Sequence, residues 1–167
     1  MTGRDHGLEI SCECTIYFAA LAAHKQPAKP TMEPELSYVI KRSKTGLGLF
    51  AMQPISPGKR IIEYTGLLIP NEEVEKRNGK YFFGVNTKWS IDGSPRENIA
   101  RYINHSCSPN AEAVVSGRRV WIWSRKKIRA GEEITYHYGK EYFEDIIKPR
   151  GCKCGKCDPR PKRSKSG

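Results

Sequence analysis

Short apolar runs separated by glycine, proline and asparagine make up most of the chain from Leu36 onward. This spacing is typical of many short β-strands rather than of long helices. The predicted strands are residues 38–42, 49–51, 60–64, 81–85, 90–92, 111–116, 119–124 and 133–136. Two helices are predicted, one at 71–77 with Asn71 as its capping residue and a short helical turn at 96–102. The expected fold class is therefore mainly β with few short helices.

The length of 167 residues, with 38% apolar content, suits one domain with a hydrophobic core and is too short for two of ordinary size. The formal charge of +11 is concentrated near the C-terminus, where residues 148–167 hold eight Lys or Arg against Asp158 alone. Residues 160–167 form a basic tail without large apolar side chains, so we expect this tail to be disordered. Such a tail either contacts nucleic acid weakly or serves only solubility.

The N-terminal extension, residues 1–34, shows no pattern that links it to the rest of the chain, and we expect it to be poorly ordered or to lie outside the domain. Its apolar stretch at 10–23 contains a glutamate and is too short to span a bilayer, so neither a membrane helix nor secretion is expected. The expected location is intracellular, cytoplasmic or nuclear. Met32 is an alternative start, and with that start Cys12 and Cys14 would carry no function.

The six cysteines would suggest three disulfides in a secreted chain, and a disulfide-stapled protein without metal is one alternative. Cys152, Cys154 and Cys157, however, lie within six residues of the chain. This spacing is too tight for ordinary mutual bridging, but it allows several thiolates to converge on one ion. The pattern therefore favours a metal site in a reducing compartment.

Three motifs follow one another in the second half of the chain. Residues 104–110 read Asn-His-Ser-Cys-Ser-Pro-Asn, residues 135–139 read Thr-Tyr-His-Tyr-Gly, and residues 152–157 read Cys-Lys-Cys-Gly-Lys-Cys. In this order they resemble the cofactor-binding segment, the catalytic tyrosine segment and the post-SET zinc segment of SET-domain protein lysine methyltransferases. The resemblance covers residues from about 37 to about 159.

The resemblance implies a SET domain at 36–139, a post-SET zinc segment at 148–164, and a SET-type β-clip fold of small sheets with a knot-like crossing. In that fold the segments at 104–110 and 135–139 cross each other. It also implies an S-adenosylmethionine-dependent protein-lysine N-methyltransferase that acts on a histone or another protein, and we expect a monomer. The alternative is a catalytically silent SET-fold binding module with the zinc segment, which uses its basic tail to hold nucleic acid or a partner.

By the same resemblance Tyr138 is the catalytic residue. Its role is mainly alignment, because methyl transfer to an amine is an in-line displacement. Tyr64 would line the lysine channel from the other side, and Tyr136 would tune how many methyl groups fit. A tyrosine hydroxyl there can hold a water that an extra methyl group must displace, which favours mono- or dimethylation. Phe83 and Trp89 are expected to wall the site, with core packing as the alternative for each aromatic residue.

The predicted reaction needs no dedicated strong base, because an apolar channel and a nearby sulfonium both lower the pKa of the substrate amine. His137 is therefore assigned no catalytic role, and we expect it to point away from the channel while Tyr136 and Tyr138 point in. The predicted partner is a protein or peptide that presents a lysine and pairs along an edge strand near residues 81–85.

The residues that the resemblance assigns to S-adenosylmethionine are Gly46, Leu47, Gly48, Tyr81, Asn104 and His105. The two glycines let the main chain turn tightly or approach a ligand, although a Gly-x-Gly alone predicts only a β-turn. Asn104 and His105 are expected to meet the adenine through a side-chain amide and flanking main-chain groups. A purely structural role is the alternative for His105.

The resemblance adds Cys107 to the three clustered cysteines, Cys152, Cys154 and Cys157, as ligands of a structural Zn²⁺. Four thiolates would form a closed tetrahedral site that ties the C-terminal segment over the lysine channel. Two features depart from the family pattern. The last three cysteines are spaced Cys-x-Cys-x2-Cys instead of Cys-x-Cys-x4-Cys, and Leu67 stands where many relatives have glutamate.

Overall fold

The computed structural model describes residues 36–77 and 79–158. The predictions for residues 1–34, including Cys12 and Cys14, and for the basic tail at 160–167 lie outside the described residues. Within them the chain forms short strands arranged in four small sheets. This confirms the predicted mainly β fold.

Ten strands occur in the described part of the chain. They are β1 (Tyr38–Ser43), β2 (Gly46–Ala51), β3 (Arg60–Tyr64), β4 (Leu67–Pro70), β5 (Phe82–Gly84), β6 (Trp89–Asp92), β7 (Asn104–His105), β8 (Ala111–Ser116), β9 (Arg119–Ser124) and β10 (Thr135–Tyr136). The helical elements there are α1 (Asn71–Lys76), a 3₁₀ helix (Ile99–Tyr102), and α2 (Lys140–Tyr142), which continues as a π-helical turn (Phe143–Ile147).

The predicted bounds of β3, β8 and β9 agree with the structure. Strands β4 and β7 were not predicted, because four residues ending in proline and a pair of polar residues show no alternating pattern. The expectation of only two helices was wrong, since residues 140–147 are helical. Phe143 and Ile147 are four residues apart in this segment, and this spacing of apolar residues indicates a helix.

The prediction that Asn71 caps helix α1 was also wrong. Pro70 occupies the capping position, and Asn71 is the first helical residue. The Asn71 side chain instead donates from Nδ2 to the carbonyl of Asn86 at 3.0 Å and accepts from Ser90 Oγ at 2.8 Å. The amide therefore fastens the start of α1 to β6 and the turn before it.

The two larger sheets have the strand orders β3-β9-β8 and β4-β6-β5, and all their neighbours are antiparallel. Along β9 the two-residue period buries Val120 and Ile122 in the core, while Trp121 and Trp123 lie half-buried on the opposite face. Large side chains at the centre of the core are Leu49, Ile55, Ile103, Ile122, Ile128 and Ile134. This core supports the loop that carries residues 104–110.

Candidate active site and metal centre

Two short strands bring the 104–110 motif against the 135–139 motif. Strand β7 pairs in parallel with β10, so that Asn104 lies opposite Thr135 and His105 lies opposite Tyr136. The main chain continues the contact, since the Ser106 N–H donates to the Tyr136 carbonyl at 3.0 Å. The predicted crossing of these two segments requires such a contact.

Asn110, the last residue of the first motif, fastens this junction. It is buried, and its Nδ2 donates to the Glu133 carbonyl at 2.8 Å and to Glu132 Oε1 at 3.0 Å. Its Oδ1 accepts from the Thr135 N–H at 2.8 Å. No role was predicted for Asn110, although a buried amide with partners on both ends is a strong local constraint.

A cleft of about 650 Å³ opens beside the junction. The aromatic residues that line it include Tyr64, Tyr81, Phe83, Tyr136, Tyr138 and Tyr142. Neighbouring rings are in contact: the ring centroids of Tyr64 and Phe83 are 5.4 Å apart, and those of Tyr136 and Tyr138 are 4.9 Å apart. An apolar wall of this kind excludes water and favours the neutral form of an amine.

The three predicted catalytic tyrosines meet in this cleft as neutral phenols. Tyr138 donates its hydroxyl hydrogen to the Ile103 carbonyl at 2.7 Å, and Tyr64 donates to the Tyr81 carbonyl at 2.8 Å. Burial is the largest cause that raises the pKa of Tyr64, Tyr136 and Tyr138 above the usual tyrosine value. The hydroxyl groups therefore stay protonated at neutral pH and can donate hydrogen bonds.

The side chains around the tyrosines agree only in part with the predictions. Phe83 lines the cleft as predicted, but Trp89 does not, and the Arg118 guanidinium lies 5.1 Å from its ring centroid. His137 is exposed while Tyr136 is buried, as the alternation predicted. The expectation that His137 points away from the channel was wrong, because His137 lines the same cleft as Tyr136 and Tyr138. It lies at the rim of the cleft, where its Nδ1 accepts from the Gly139 N–H at 3.1 Å.

A second group of predicted residues gathers away from the cleft lining, at a corner formed by β2, β7 and Glu133. Asn104 Nδ2 donates to the Leu47 carbonyl at 2.9 Å and to Glu133 Oε1 at 2.8 Å. The other carboxylate oxygen of Glu133 accepts from Ser43 Oγ at 2.8 Å. A Cβ at Gly48 would collide with Glu133 Oε1, so a glycine is needed there for this carboxylate to reach Asn104.

The six predicted cofactor residues therefore fall into two places. Tyr81 lines the cleft, and the Leu47 and Asn104 corner lies outside its lining. Glu133 was missed as part of this corner, although it stands in the same string as Tyr136 and Tyr138. No local signal identifies it, because its partners are 29 and 90 residues distant along the chain.

The four predicted metal ligands converge. All sulfur atoms of Cys107, Cys152, Cys154 and Cys157 lie within 4.8 Å of one another, and none is in a disulfide. Cys107 Sγ lies 3.8 Å from Cys152 Sγ and 3.6 Å from Cys157 Sγ. Four sulfurs at about 2.3 Å from a tetrahedral ion stand about 3.8 Å apart, so the donor set fits such an ion. The disulfide-stapled alternative does not hold for the four described cysteines.

The thiol that lies deepest in the cluster is preorganised for ionisation. Burial opposes the loss of its proton, but hydrogen bonds from main-chain N–H groups, that of Cys107 first among them, lower the pKa of Cys154 to about 6. Burial raises the pKa of Cys107 and Cys152, so Cys154 is the thiol of these three that ionises most readily. Thiolates rather than thiols bind metals. Because all four sulfur atoms lie close together, the shorter spacing between Cys154 and Cys157 does not prevent a four-sulfur site.

His105 joins the cysteine cluster to the tyrosine segment. Its Nδ1 accepts from the Tyr138 N–H at 3.3 Å, and its Nε2 lies 3.3 Å from Cys107 Sγ. Burial first, and then the nearby charge of His137, lower the pKa of His105 to about 4, so the ring is neutral at neutral pH. A neutral ring that accepts at Nδ1 carries its hydrogen on Nε2 and donates it to the sulfur. Both side-chain nitrogens are thus engaged within the chain.

Comparison with known proteins identifies the family. The SET domain family matches residues 46–139, which is more than half of the chain, and the chain belongs to that family. Strand β1 pairs with β2 along its whole length, so the folded unit begins before residue 46. Among the helices of the described residues, none is long and apolar enough to cross a membrane.

Curated relatives align with the same region. The chain is 42% identical over 123 residues to histone-lysine N-methyltransferase set-2 of Caenorhabditis elegans, which covers 66% of this chain and 8% of the relative. It is 41% identical over 113 residues to histone-lysine N-methyltransferase Set2 of Drosophila melanogaster, covering 60% and 5%. It is 37% identical over 130 residues to human histone-lysine N-methyltransferase 2D, covering 71% and 2%. The chain thus spans less than a tenth of the length of each of these relatives.

Proposed function

We propose that this chain is an S-adenosylmethionine-dependent protein-lysine N-methyltransferase. The observation that carries the proposal is the convergence of Tyr64, Tyr136 and Tyr138 in one apolar cleft beside the β7–β10 junction. The names of the relatives support lysine as the acceptor, since each is a histone-lysine N-methyltransferase. A histone or another protein is then the substrate, and a histone substrate would place the chain at chromatin.

The cofactor residues in this proposal are those of the β2 and β7 corner together with Tyr81. Gly46, Leu47 and Gly48 offer main-chain groups there, and Asn104 presents Oδ1 because its two amide hydrogens are already donated. Acceptor oxygens beside the Glu133 carboxylate suit the ammonium group of S-adenosylmethionine. Both ring nitrogens of His105 are engaged, so its contact with an adenine would come from its main chain.

When bound, S-adenosylmethionine supplies an electrophilic methyl group carried on a sulfonium. The chain aligns the substrate and excludes water. The lysine side chain is confined by the rings of Tyr64, Phe83, Tyr136 and Tyr138. The free amine has a reference pKa of about 10.4, and the same apolar surroundings lower it. Neutral phenols cannot repel an incoming cation or compete for its proton.

The metal in this proposal is a structural Zn²⁺ held by Cys107, Cys152, Cys154 and Cys157. No protein group beyond the four sulfurs is needed, so the site would be closed and would not take part in methyl transfer. Its role is to hold the segment that contains residues 152–157 against the loop that carries Cys107. The corresponding domain bounds are 36–139 for the SET domain and 148–164 for the post-SET segment.

The experiment that tests the function is an unbiased transfer screen. The purified chain is incubated with methyl-labelled S-adenosylmethionine and a protein extract, and labelled lysines are mapped by mass spectrometry. The proposal expects label on lysine ε-nitrogens. Label on other residues, or a complete absence of transfer together with normal cofactor binding, would contradict it.

A silent binding module is the second candidate. The aromatic cleft is the observation that favours it, because several ring faces around one cavity also attract a methylated ammonium group. Such a module would bind a methyl-lysine peptide without turnover. The transfer screen separates the two, since only the enzyme converts unmodified lysine.

Tyr136 is expected to limit the number of methyl groups added. Its buried ring lies between Phe83 and Tyr138, with centroid distances of 6.3 and 4.9 Å. Removing the hydroxyl in Tyr136→Phe enlarges this part of the cleft and removes a group that can hold water. The wild type should therefore yield mono- or dimethyl-lysine, and the variant should shift its product toward higher states.

Mass spectrometry of a single peptide substrate over time measures this shift. Tyr38→Phe is the matched control, because it also removes one phenol hydroxyl, which donates to the Ile61 carbonyl, at a residue that does not line the cleft. A wild-type product that is mainly trimethyl-lysine would refute the predicted limit.

A further inference from the structure

The rim of the cleft carries more positive than negative charge. The charged residues that line it are Lys80, Arg101, Glu112, Arg125, Lys140 and Glu141. Arg125 and Glu112 approach each other at 3.8 Å, with about half of each side chain exposed, so their charges largely offset each other. The charges that remain at the rim are one anion, Glu141, and three cations, Lys80, Arg101 and Lys140.

The three remaining cations form no ion pair with the residues that the structure describes. Within residues 36–77 and 79–158, no carboxylate lies within ion-pair distance of Lys80, Arg101 or Lys140. Lys80 and Lys140 are exposed, so their charges face whatever enters the cleft. Exposed lysines attract a diffusing anion over roughly a Debye length, about 8 Å at physiological salt.

Arg101 has in addition an unused donor. Its guanidinium carbon lies 3.8 Å from the ring centroid of Tyr81, and its Nη1 donates to the Ser94 carbonyl at 2.6 Å. Its Nε is buried and has no hydrogen-bond partner, the one such side-chain atom in the described part of the chain. A buried N–H without an acceptor is costly, so an acceptor supplied by a ligand would be stabilising.

The position of β5 shows where a peptide can lie. Among the described strands, β5 is an edge strand of the β4-β6-β5 sheet and pairs with β6 alone, and its residues Phe82–Gly84 line the cleft. Space is open beside Gly84, where an added Cβ would meet no atom within 4 Å. A peptide added along this edge would pass Lys80, which lies two residues before β5.

We infer that this rim selects a substrate lysine flanked by aspartate or glutamate, and disfavours one in a run of basic residues. The inference rests on the proposed function and names its substrate class. The cations at 80, 101 and 140 attract carboxylates on either side of the lysine, and they repel a multiply basic peptide. The net charge of +11 for the whole chain adds long-range steering of the same sign.

The test uses three peptide libraries with a central lysine. Two positions on each side of it are glutamate in one library, glutamine in the second and lysine in the third, and the other positions are randomised. Transfer of labelled methyl groups to the central lysine, located by mass spectrometry, gives kcat/KM, and fluorescence anisotropy of the same peptides gives binding. We expect the glutamate library to exceed the lysine library by about tenfold at low salt in both measurements, and this ratio should shrink as salt is raised.

The double variant Lys80→Glu with Lys140→Glu should abolish or reverse the preference. Its matched control is Lys41→Glu with Lys127→Glu, which changes the net charge equally at two exposed lysines that do not line the cleft. The control should keep the preference of the wild type.

Two results would overturn the inference in distinguishable ways. Equal or better transfer to the lysine library, or the same loss of preference in both double variants, overturns the charge preference and leaves methyl transfer standing. No transfer to any library or to any protein of the extract overturns the proposed function and the inference with it.

Discussion

Tyr138→Phe is expected to lower kcat/KM for methyl transfer by about a hundredfold or more while the chain remains folded. The hydroxyl makes one hydrogen bond, to the Ile103 carbonyl at 2.7 Å, and its loss costs about 1 kcal/mol of stability. The ring keeps its contacts with Tyr136, Tyr142 and His105. The hydroxyl therefore contributes little to folding, and under the proposed function its role is to position the reacting amine. Misplacement by about 1 Å can cost about a hundredfold in rate.

The matched control for this variant is again Tyr38→Phe. It removes a hydroxyl that donates to the Ile61 carbonyl at 2.6 Å, at a site outside the cleft. Thermal unfolding of the two variants should differ little, while initial rates with labelled S-adenosylmethionine should differ by about two orders of magnitude. Equal rates for both variants would remove Tyr138 from the catalytic role and require another aromatic residue of the cleft in its place.

The strands that the sequence predicted well are those with long alternating patterns. In β9, valine and isoleucine alternate with tryptophan, and one face is buried. Strand β7 has only two polar residues, and nothing in its own composition indicates an extended conformation. It is a strand because Asn110 and Ser106 hold the loop against β10. Tertiary contacts of this kind are not visible in a local pattern.

In the candidate site, too, some features could be predicted from the sequence and others depend on tertiary contacts. Cys152, Cys154 and Cys157 converge as their spacing predicted, and Cys107 joins them as the resemblance implied. The three tyrosines also meet as the resemblance implied. The sequence could not show why a glycine stands at position 48, because the reason is the carboxylate of Glu133, which lies 85 positions later in the chain. The double engagement of the His105 ring was equally hidden, since its partners are Tyr138 and Cys107. Both cases depend on side-chain contacts that only the folded chain creates.

Removal of the metal is expected to abolish activity, because it weakens the hydrogen bonds by which His105 positions Tyr138. Without an ion, Cys107 is joined to the segment at 152–157 only by weak contacts, the hydrogen bond from its N–H to Cys154 Sγ at 3.5 Å and the contacts among the sulfur atoms, so this segment is held less firmly. The Nε2 hydrogen of His105 then loses a fixed thiolate acceptor, and its Nδ1 holds the Tyr138 N–H less firmly. The phenol would be present but poorly positioned. Activity should therefore fall in parallel with metal content.

Three measurements test this on the full chain. Metal analysis should find one zinc per chain, and a chelator should lower the unfolding temperature and expose thiols to titration. Cys154→Ser should bind zinc more than about a hundredfold more weakly, since losing a group that only hydrogen-bonds a ligand already costs about 10- to 100-fold. His105→Ala should lower the affinity for zinc by about 10- to 100-fold, since His105 only hydrogen-bonds the Cys107 ligand.

The control is the double variant Cys12→Ser with Cys14→Ser. These two cysteines lie outside the proposed ligand set, and their removal leaves four thiols to be counted. It should bind one zinc and keep wild-type activity. If it lost zinc as Cys154→Ser does, the ligand set would have to include the N-terminal cysteines. If instead Cys154→Ser kept both zinc and activity, the four-thiolate site and its coupling to Tyr138 would be refuted, because a closed tetrahedral site cannot lose a ligand without losing affinity.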